Sequence, residues 1–540
     1  MKKTWLILML CLCLLLSACG KTVVPDVQDG TQGNSADATQ NQTDDPTQDA
    51  TQDQTAATDA QGNCVRHVDA QNDGRCDVCN TIVIVTVDFF TINDLHGKIA
   101  DGENHPGVDE LTTYLEREKE YNDNVVLLST GDMWQGATES NLTGGLIVTD
   151  WMNDVGFSAM TLGNHEYDWG EDAVRTNNAQ AEFPFLAINV YDRSTDALVN
   201  YCQPSVMVER DGIEIGIIGA MGDCYSSIAV DKVSDIYFKT GAELTRLVKA
   251  ESQRLREQGA DYIVYVIHDG YEGSTGNSVT SVHGRQLKYY YDIELSDGYV
   301  DLVFEGHTHQ RYILKDEYGV YHLQCGGDNK GISHVEISVN TANGNTKTRL
   351  AELIATGAYA NMADDPIVNE LLIKYDAEVS VSKTILGTNA RMRSSGELCQ
   401  YAAQLYYEKG LELWGDQYDI VLGGGFFSVR SPYTLPAGEV TYGQLQSLMP
   451  FDNNLVLCSI KGRDLVANFF ETDNDRYYIA YGDYGAQVRR DIDPNATYYV
   501  VVDSYTSPYG PNRLTEIARW DEEIYARDLL AEFVKEGGMN

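Results

Sequence analysis

Basic residues are scarce in this chain beside acidic ones: 39 Lys and Arg stand against 81 Asp and Glu in 540 residues, a formal net charge of −42. Phosphate backbones select basic patches, so this balance argues against a nucleic acid polymer as partner. A membrane-length apolar run is missing at the start as well. In MKKTWLILMLCLCLLLSAC the apolar core, Trp5 to Leu16, is shorter than the roughly 20 residues that cross a bilayer, and it follows two lysines. That pattern is an export signal over 1–18 rather than a span. Apolar residues are then nearly absent from 19–60, where Thr, Gln, Asp, Asn and Ala dominate. Such a segment cannot bury enough surface to offset chain entropy and is expected to be a disordered acidic tether. Cysteine is sparse through the rest of the chain. Cys202, Cys224, Cys325, Cys399 and Cys458 lack CxxC spacing, which permits disulfides in an exported chain without demanding them and suits buried, inert thiols.

The exception lies in 61–80. Cys64-x-x-His67 and Cys76-x-x-Cys79 have the spacing of zinc ligands. Interleaved with them, Asp69, Gln71, Asp73 and Gly74 echo the start of a calcium loop, although Asn80 stands where its bidentate Glu belongs. A structural zinc on Cys64, His67, Cys76 and Cys79, disulfides formed outside the cell, and a calcium turn are the three readings. None of them is catalytic.

Chemistry is concentrated further on. Five times, a run of apolar or β-branched residues stops at Asp, Asn or His beside a glycine. VDFFTINDLHG (87–97) ends in Asp94 and His96, VVLLSTGDMWQG (125–136) in Asp132, and TLGNHEYDWG (161–170) in Asn164, His165 and Asp168. YIVYVIHDG (262–270) ends in His268 and VDLVFEGHTH (300–309) in His307 and His309. Any one of these histidines alone reads as a hydrogen-bonded structural residue. Five motifs in succession do not.

A sheet presenting these strand ends along one edge would gather carboxylates, a carboxamide and imidazoles that are costly to desolvate unless cations satisfy them. Mixed Asp/His/Asn ligation suits Mn, Zn, Fe or Co better than Ca or Cu(I). Seven candidate ligands are too many for one tetrahedral ion. Two divalent metals sharing Asp132 would use them all and match the template for phosphate-ester hydrolysis. Asn164 can ligate through its carbonyl oxygen, and Asp168 can accept from His165 and fix its tautomer.

The order DLHG, GD, GNHE-x-D, a lone His after a strand, and GHTH resembles the calcineurin-like metallophosphoesterases. DWMNDVGFSAMTLGNHEYDWG (150–170) is similar to their extracellular 5′-nucleotidase branch. The resemblance implies one metal on Asp94, His96, Asp132 and His309, and another on Asp132, Asn164, His268 and His307. It implies that His165, steered by Asp168, donates to the phosphate. It also implies an α/β/β/α sandwich of two facing sheets. Strand and helix patterns alternate over 81–358, with helices expected at Val108–Glu120 and Gly241–Gln258, and by themselves argue only for α/β layers.

Residues 359–383 read as a capped helix bridging to a second α/β domain, 384–540. This part resembles the nucleotide-binding domain of the 5′-nucleotidases through Arg391 in RMRSSG, Arg430 in GGGFFSVR, Phe451 in PFDN and Tyr505 in DSYTSPYG. The implied roles are substrate binding, the arginines gripping polar groups and the two rings sandwiching a base. Leu422 stands where the family has Asn, Arg430 is displaced by two residues, and SPYGPN replaces Gly-Gly-Asp-Gly.

At the N-terminus, LSAC resembles the bacterial lipobox, which would make Cys19 the lipidated first residue of a surface-anchored chain; the other reading is plain secretion. The expectation is thus a monomeric, lipid-anchored, dinuclear metal-dependent hydrolase of nucleoside 5′-monophosphates. The alternatives are a UDP-sugar hydrolase, a 2′,3′-cyclic-nucleotide phosphodiesterase with 3′-nucleotidase activity, and a non-catalytic surface binding lipoprotein.

Overall fold

Each of the five motifs does follow a strand, but the strands divide between two sheets instead of lining one edge. A computed structural model of the chain describes residues 58, 62–102, 106–271, 295–426, 434–469, 477–481, 492–506, 514–520 and 524–540. Cys19, the 1–18 signal, all of the 19–60 tether but residue 58, and Arg430 lie outside them. Among the described residues no helix is long and apolar enough to cross a membrane.

The first sheet contains β1 (Ile84–Ile92), β2 (Val125–Ser129) and β3 (Ala159–Thr161), parallel neighbours in that order, with Phe185–Leu186 beyond β3. On the other side of β1 the late hairpin Gly331–Asn340 and Thr346–Ala355 completes it antiparallel. The second sheet runs Arg311–Lys315, Tyr321–Cys325, Leu302–Phe304, Tyr262–His268, Ile213–Met221 and Ser205–Arg210.

Apolar runs buried on both faces explain the layering. From β1, Val87 and Phe89 join Val126 and Leu128 of β2 against Val264, Val266, Leu302 and Phe304 of the second sheet. The alternate residues Phe90, Ile92 and Leu127 turn outward onto Leu111, Leu115, Trp151 and Met152 of helices Asp109–Tyr121 and Leu146–Val155. On the opposite side Ile263, Tyr265 and Ile267 meet Leu244, Val248 and Leu255 of helix Gly241–Glu257. The layers are helix, sheet, sheet, helix.

The bridge is not one helix. It runs as Ile367–Lys374, Asp376–Val379 and a 3₁₀ turn Ser380–Lys383, broken at Tyr375, whose hydroxyl donates 2.6 Å to Asp150 Oδ2 of the first layer. Asp365 Oδ1 caps its start by accepting from Ile367 N at 3.0 Å. Beyond it a five-stranded sheet orders Tyr477–Tyr481, Ile420–Phe426, Thr497–Asp503, Leu455–Lys461 and Thr515–Arg519. Helix Ser395–Trp414, started by a Ser394/Glu397 capping box, buries Leu398, Ala402 and Tyr406 on one face of this sheet. Leu465 and Phe469 cover the other.

Candidate active site

Parallel strands leave their C-terminal ends at one rim of a sheet, and here two such rims face each other. The loops after β1, β2 and β3 oppose those after Tyr262–His268 and Leu302–Phe304. Asp94, His96 and His309 bring ligand atoms within 4.8 Å of one another, and so do Asp94, Asp132 and His268. Asn164 joins through its carbonyl oxygen, 3.2 Å from His268 Nε2. His307 packs edge-on to His268 with ring centroids 5.4 Å apart, and its amide donates to Asp94 Oδ2 at 3.0 Å.

The backbone makes this convergence possible. Asp94, His96, Asp132, His307 and His309 all adopt left-handed φ, between 52° and 69°. Such a conformation costs an L-residue about 1 kcal/mol or more, and strain of this kind gathers at functional sites. Bonds between neighbouring loops hold it in place: Asp94 N to Gly131 O at 3.0 Å, His96 N to Asp132 O at 3.0 Å, and Gly97 N to Met133 O at 2.8 Å. Gly163 is needed for space, since a Cβ there would collide with Asp132 Oδ1.

The donor set fits divalent cations. His96 Nδ1–H donates to Gln135 O at 2.9 Å and His268 Nδ1–H to Thr130 O at 2.6 Å, which turns each Nε2 toward the site as the atom that can ligate once it holds no proton. His96 Nε2 then lies 3.0 Å from His309 Nε2, which is 3.2 Å from Asp94 Oδ1. His268 Nε2 lies 3.0 Å from Asp132 Oδ2. Donors about 2.1 Å from a cation in an octahedral shell stand about 3.0 Å from their neighbours. Cys224 Sγ is also near His268 and His307; burial pushes its thiol well above the usual range, and it donates to His268 O at 3.0 Å.

Electrostatics agree. Burial alone would raise Asp132, yet the imidazoles of His268, His165 and His96 outweigh it and hold the carboxyl well below its ordinary value. Burial works against a charge on His268, but Asp132 lifts it to about 10. His307, half-buried and beside His268, falls to about 4 through desolvation and the neighbouring imidazole.

Sequence reasoning missed two residues. Glu166 is fully buried and accepts from the amides of Asp132 (2.8 Å), Met133 (2.8 Å), Trp134 (3.3 Å) and Gly163 (2.7 Å). Burial and the nearby Asp132 push its carboxyl up to about 7. An acid between Asn164 and Asp168, in a motif where Asn164, His165 and Asp168 each have a role, was its signal. Arg527, 4% exposed, donates to Met449 O at 2.9 Å, Phe451 O at 3.5 Å and Asp452 Oδ1 at 2.8 Å, holding the loop that carries Phe451. A single arginine among the apolar residues of helix Ala526–Lys535 could have revealed it.

His165 and Asp168 meet as expected, Nδ1 to Oδ2 at 2.6 Å. Phe451 lies nearly parallel to the His165 ring at 6.0 Å, and Tyr505 nearly parallel to Phe451 at 6.4 Å. The loop bearing Phe451 and the helix before it reach the catalytic layers through Gln135 Nε2 to Pro450 O at 3.5 Å and Thr138 Oγ1 to Gly443 O at 3.1 Å. Arg391 is instead paired with Glu397 on the exposed start of helix Ser395–Trp414.

Near the N-terminus Cys64, His67, Cys76 and Cys79 converge. All eight described cysteines are free, so disulfides are not formed among them. Between these ligand pairs Asp69 accepts from Asp73 N (3.0 Å), Gly74 N (2.8 Å) and Asn340 Nδ2 (2.7 Å).

Residues 88–311 match the calcineurin-like phosphoesterase family. The chain is 24% identical over 438 residues to the protein UshA of Yersinia enterocolitica, covering 69% of this chain and 76% of that one. It is 22% identical over 399 residues to the 5′-nucleotidase of Vibrio vulnificus, covering 66% and 69%. Among solved structures, that of the 5′-nucleotidase precursor from Thermus thermophilus aligns with a TM-score of 0.62 at 20% identity, over 84% of this chain and 96% of that one.

Proposed function

We propose, for a chain that belongs to the metal-dependent phosphoester hydrolases of the bacterial 5′-nucleotidase and UshA type, that it cleaves nucleoside 5′-monophosphates to nucleoside and phosphate at the cell surface, held there by a lipid on Cys19. One observation carries the substrate. Phe451 stands beside His165 with Tyr505 parallel to it at 6.4 Å, close to the about 7 Å that two van der Waals spacings require. A flat base fits between such rings, whereas an ester without one gains nothing from them.

Asp94, His96, Asp132 and His309 would hold one divalent cation, and Asp132, Asn164, His268 and His307 a second, of the Mn, Zn, Fe or Co class. When bound, these ions neutralise phosphoryl charge and activate water. The chain's own part is orientation and charge. Asp168 fixes the His165 ring through Nδ1, leaving Nε2 to donate to the phosphate as charge develops. Arg391 grips a substrate anion only after leaving Glu397, with Arg430 as its companion.

Leu422 favours a second reading. It is wholly buried and offers no polar group where the resemblance to the 5′-nucleotidases implies an asparagine, so a UDP-sugar or a 2′,3′-cyclic nucleotide is the rival substrate. Phosphate release by the purified chain from Thr22 onward, with Mn²⁺ against EDTA, on AMP, UMP, UDP-glucose and a cyclic nucleotide separates these. Metal-dependent release from the monophosphates is the expected result. Turnover of the other esters alone overturns the assignment. For the anchor, Cys19→Ala should move the protein from the membrane fraction to the medium; retention in the membrane would refute lipidation at that residue.

A further inference from the structure

We propose that Cys64, His67, Cys76 and Cys79 bind one structural zinc ion, and that the resulting knuckle is pinned to the end of the catalytic sheet opposite the active site. The geometry is that of a tetrahedron waiting for its centre. Cys64 Sγ lies 3.7 Å from Cys76 Sγ and 3.7 Å from His67 Nδ1, Cys79 Sγ lies 3.5 Å from His67 Nδ1, and all four atoms fall within 4.8 Å of one another. Zinc bonds of about 2.3 Å to sulfur and about 2.05 Å to nitrogen give tetrahedral edges of about 3.8 Å for S···S and about 3.6 Å for S···N. A disulfide would need its sulfurs about 2.0 Å apart.

Ligand chemistry selects the ion. Three sulfurs and an imidazole favour zinc over the hard cations that take oxygen. Every tetrahedral position is filled by protein, so no site remains for substrate and the ion is structural. A module this short cannot supply a hydrophobic core of its own. Metal cross-linking provides the missing cohesion, around a backbone already turned for it: Asp77 N bonds Val68 O at 2.7 Å and Asn80 N bonds Cys76 O at 2.8 Å.

The knuckle is also docked. Asp69, 3% exposed between the two ligand pairs, accepts from Asn340 Nδ2 at 2.7 Å, and its carbonyl accepts from Asn343 Nδ2 at 3.3 Å. Asn340 pairs with Ile84, the first residue of β1, whereas Asp94 follows the last. Zinc in the knuckle therefore orders the entry to β1 and the 340–345 turn without touching the catalytic ligands. One chain then carries two classes of metal site, one of thiolates and one of oxygen and imidazole.

The test uses the mature chain as isolated. Differential alkylation read by mass spectrometry should find Cys64, Cys76 and Cys79 protected, then reactive once a strong chelator removes at least one equivalent of zinc. Protection lifted by reductant but not by chelator, or thiols reactive from the start, overturns the site. Cobalt reconstitution should give a thiolate charge-transfer band that survives Cys224→Ala and disappears in Cys76→Ser; a band that persists in Cys76→Ser overturns it too. Should Cys76→Ser fail to fold, the alkylation result on the unaltered chain decides. Chelation should also speed amide exchange across 66–84 and 340–345, and unchanged exchange there refutes the docking.

Discussion

At Glu166 one buried carboxylate gathers four backbone amides from two loops and so fixes Asp132 and Asn164 relative to each other. Glu166→Gln keeps the volume but turns an amide donor toward other donors. Urea unfolding should show a loss of about 2 kcal/mol, because hydrogen bonds to a charged acceptor are worth about 1.5–3 kcal/mol each and an unsatisfied group costs as much. Phosphate release should fall about tenfold or more as the ligands drift; an unchanged rate would mean that the loops hold themselves. His268 makes a second prediction. With Asp132 lifting it to about 10, His268 carries a proton at neutral pH in the metal-free protein, and its Nε2 must lose that proton to ligate. Metal affinity should therefore rise with pH, about tenfold per unit, up to about pH 10. Calorimetry in buffers of different ionisation enthalpy should count about one proton released near pH 7. No release would show that His268 is already neutral.

At the scale of elements, the loops after strands were legible because their pattern is local: an apolar run, a glycine, a ligand. The division of those strands between two sheets was not. β1 pairs with Gly331–Asn340, far along the chain, and nothing in a local window announces such a partner. The bridge that its capping residues marked as one helix breaks at Tyr375, whose hydroxyl donates to Asp150. Glu166 sat unread inside a recognised motif, and Arg527 inside an ordinary amphipathic helix, since the work of each is to bind backbone that only the fold brings near. Arg527 joins helix Ala526–Lys535 to the Phe451 loop. Arg527→Gln should raise KM for AMP several-fold while kcat on a small aryl phosphate, which has no base to stack, stays within about twofold. Equal losses on both substrates would place Arg527 in general stability instead.

The whole molecule carries a formal charge of −42 and must admit an anion. Like charges repel over the Debye length, about 10 Å at 0.1 M salt, so added salt should ease the approach of AMP. kcat/KM for AMP should rise between about 20 and 200 mM KCl, within the range over which screening tightens. A fall would reveal a local positive field at the crevice that outweighs the net charge. Finally, the ligand residues are spread from Asp94 to His309 and split between opposing sheets, so no partial product of synthesis or folding holds either ion cluster complete. Closing the sandwich is what brings these ligands together. On the proposal that the chain crosses a membrane unfolded behind its export signal, it would carry no catalytic metals with it, and the ions it used would be those it met on the side where it folds.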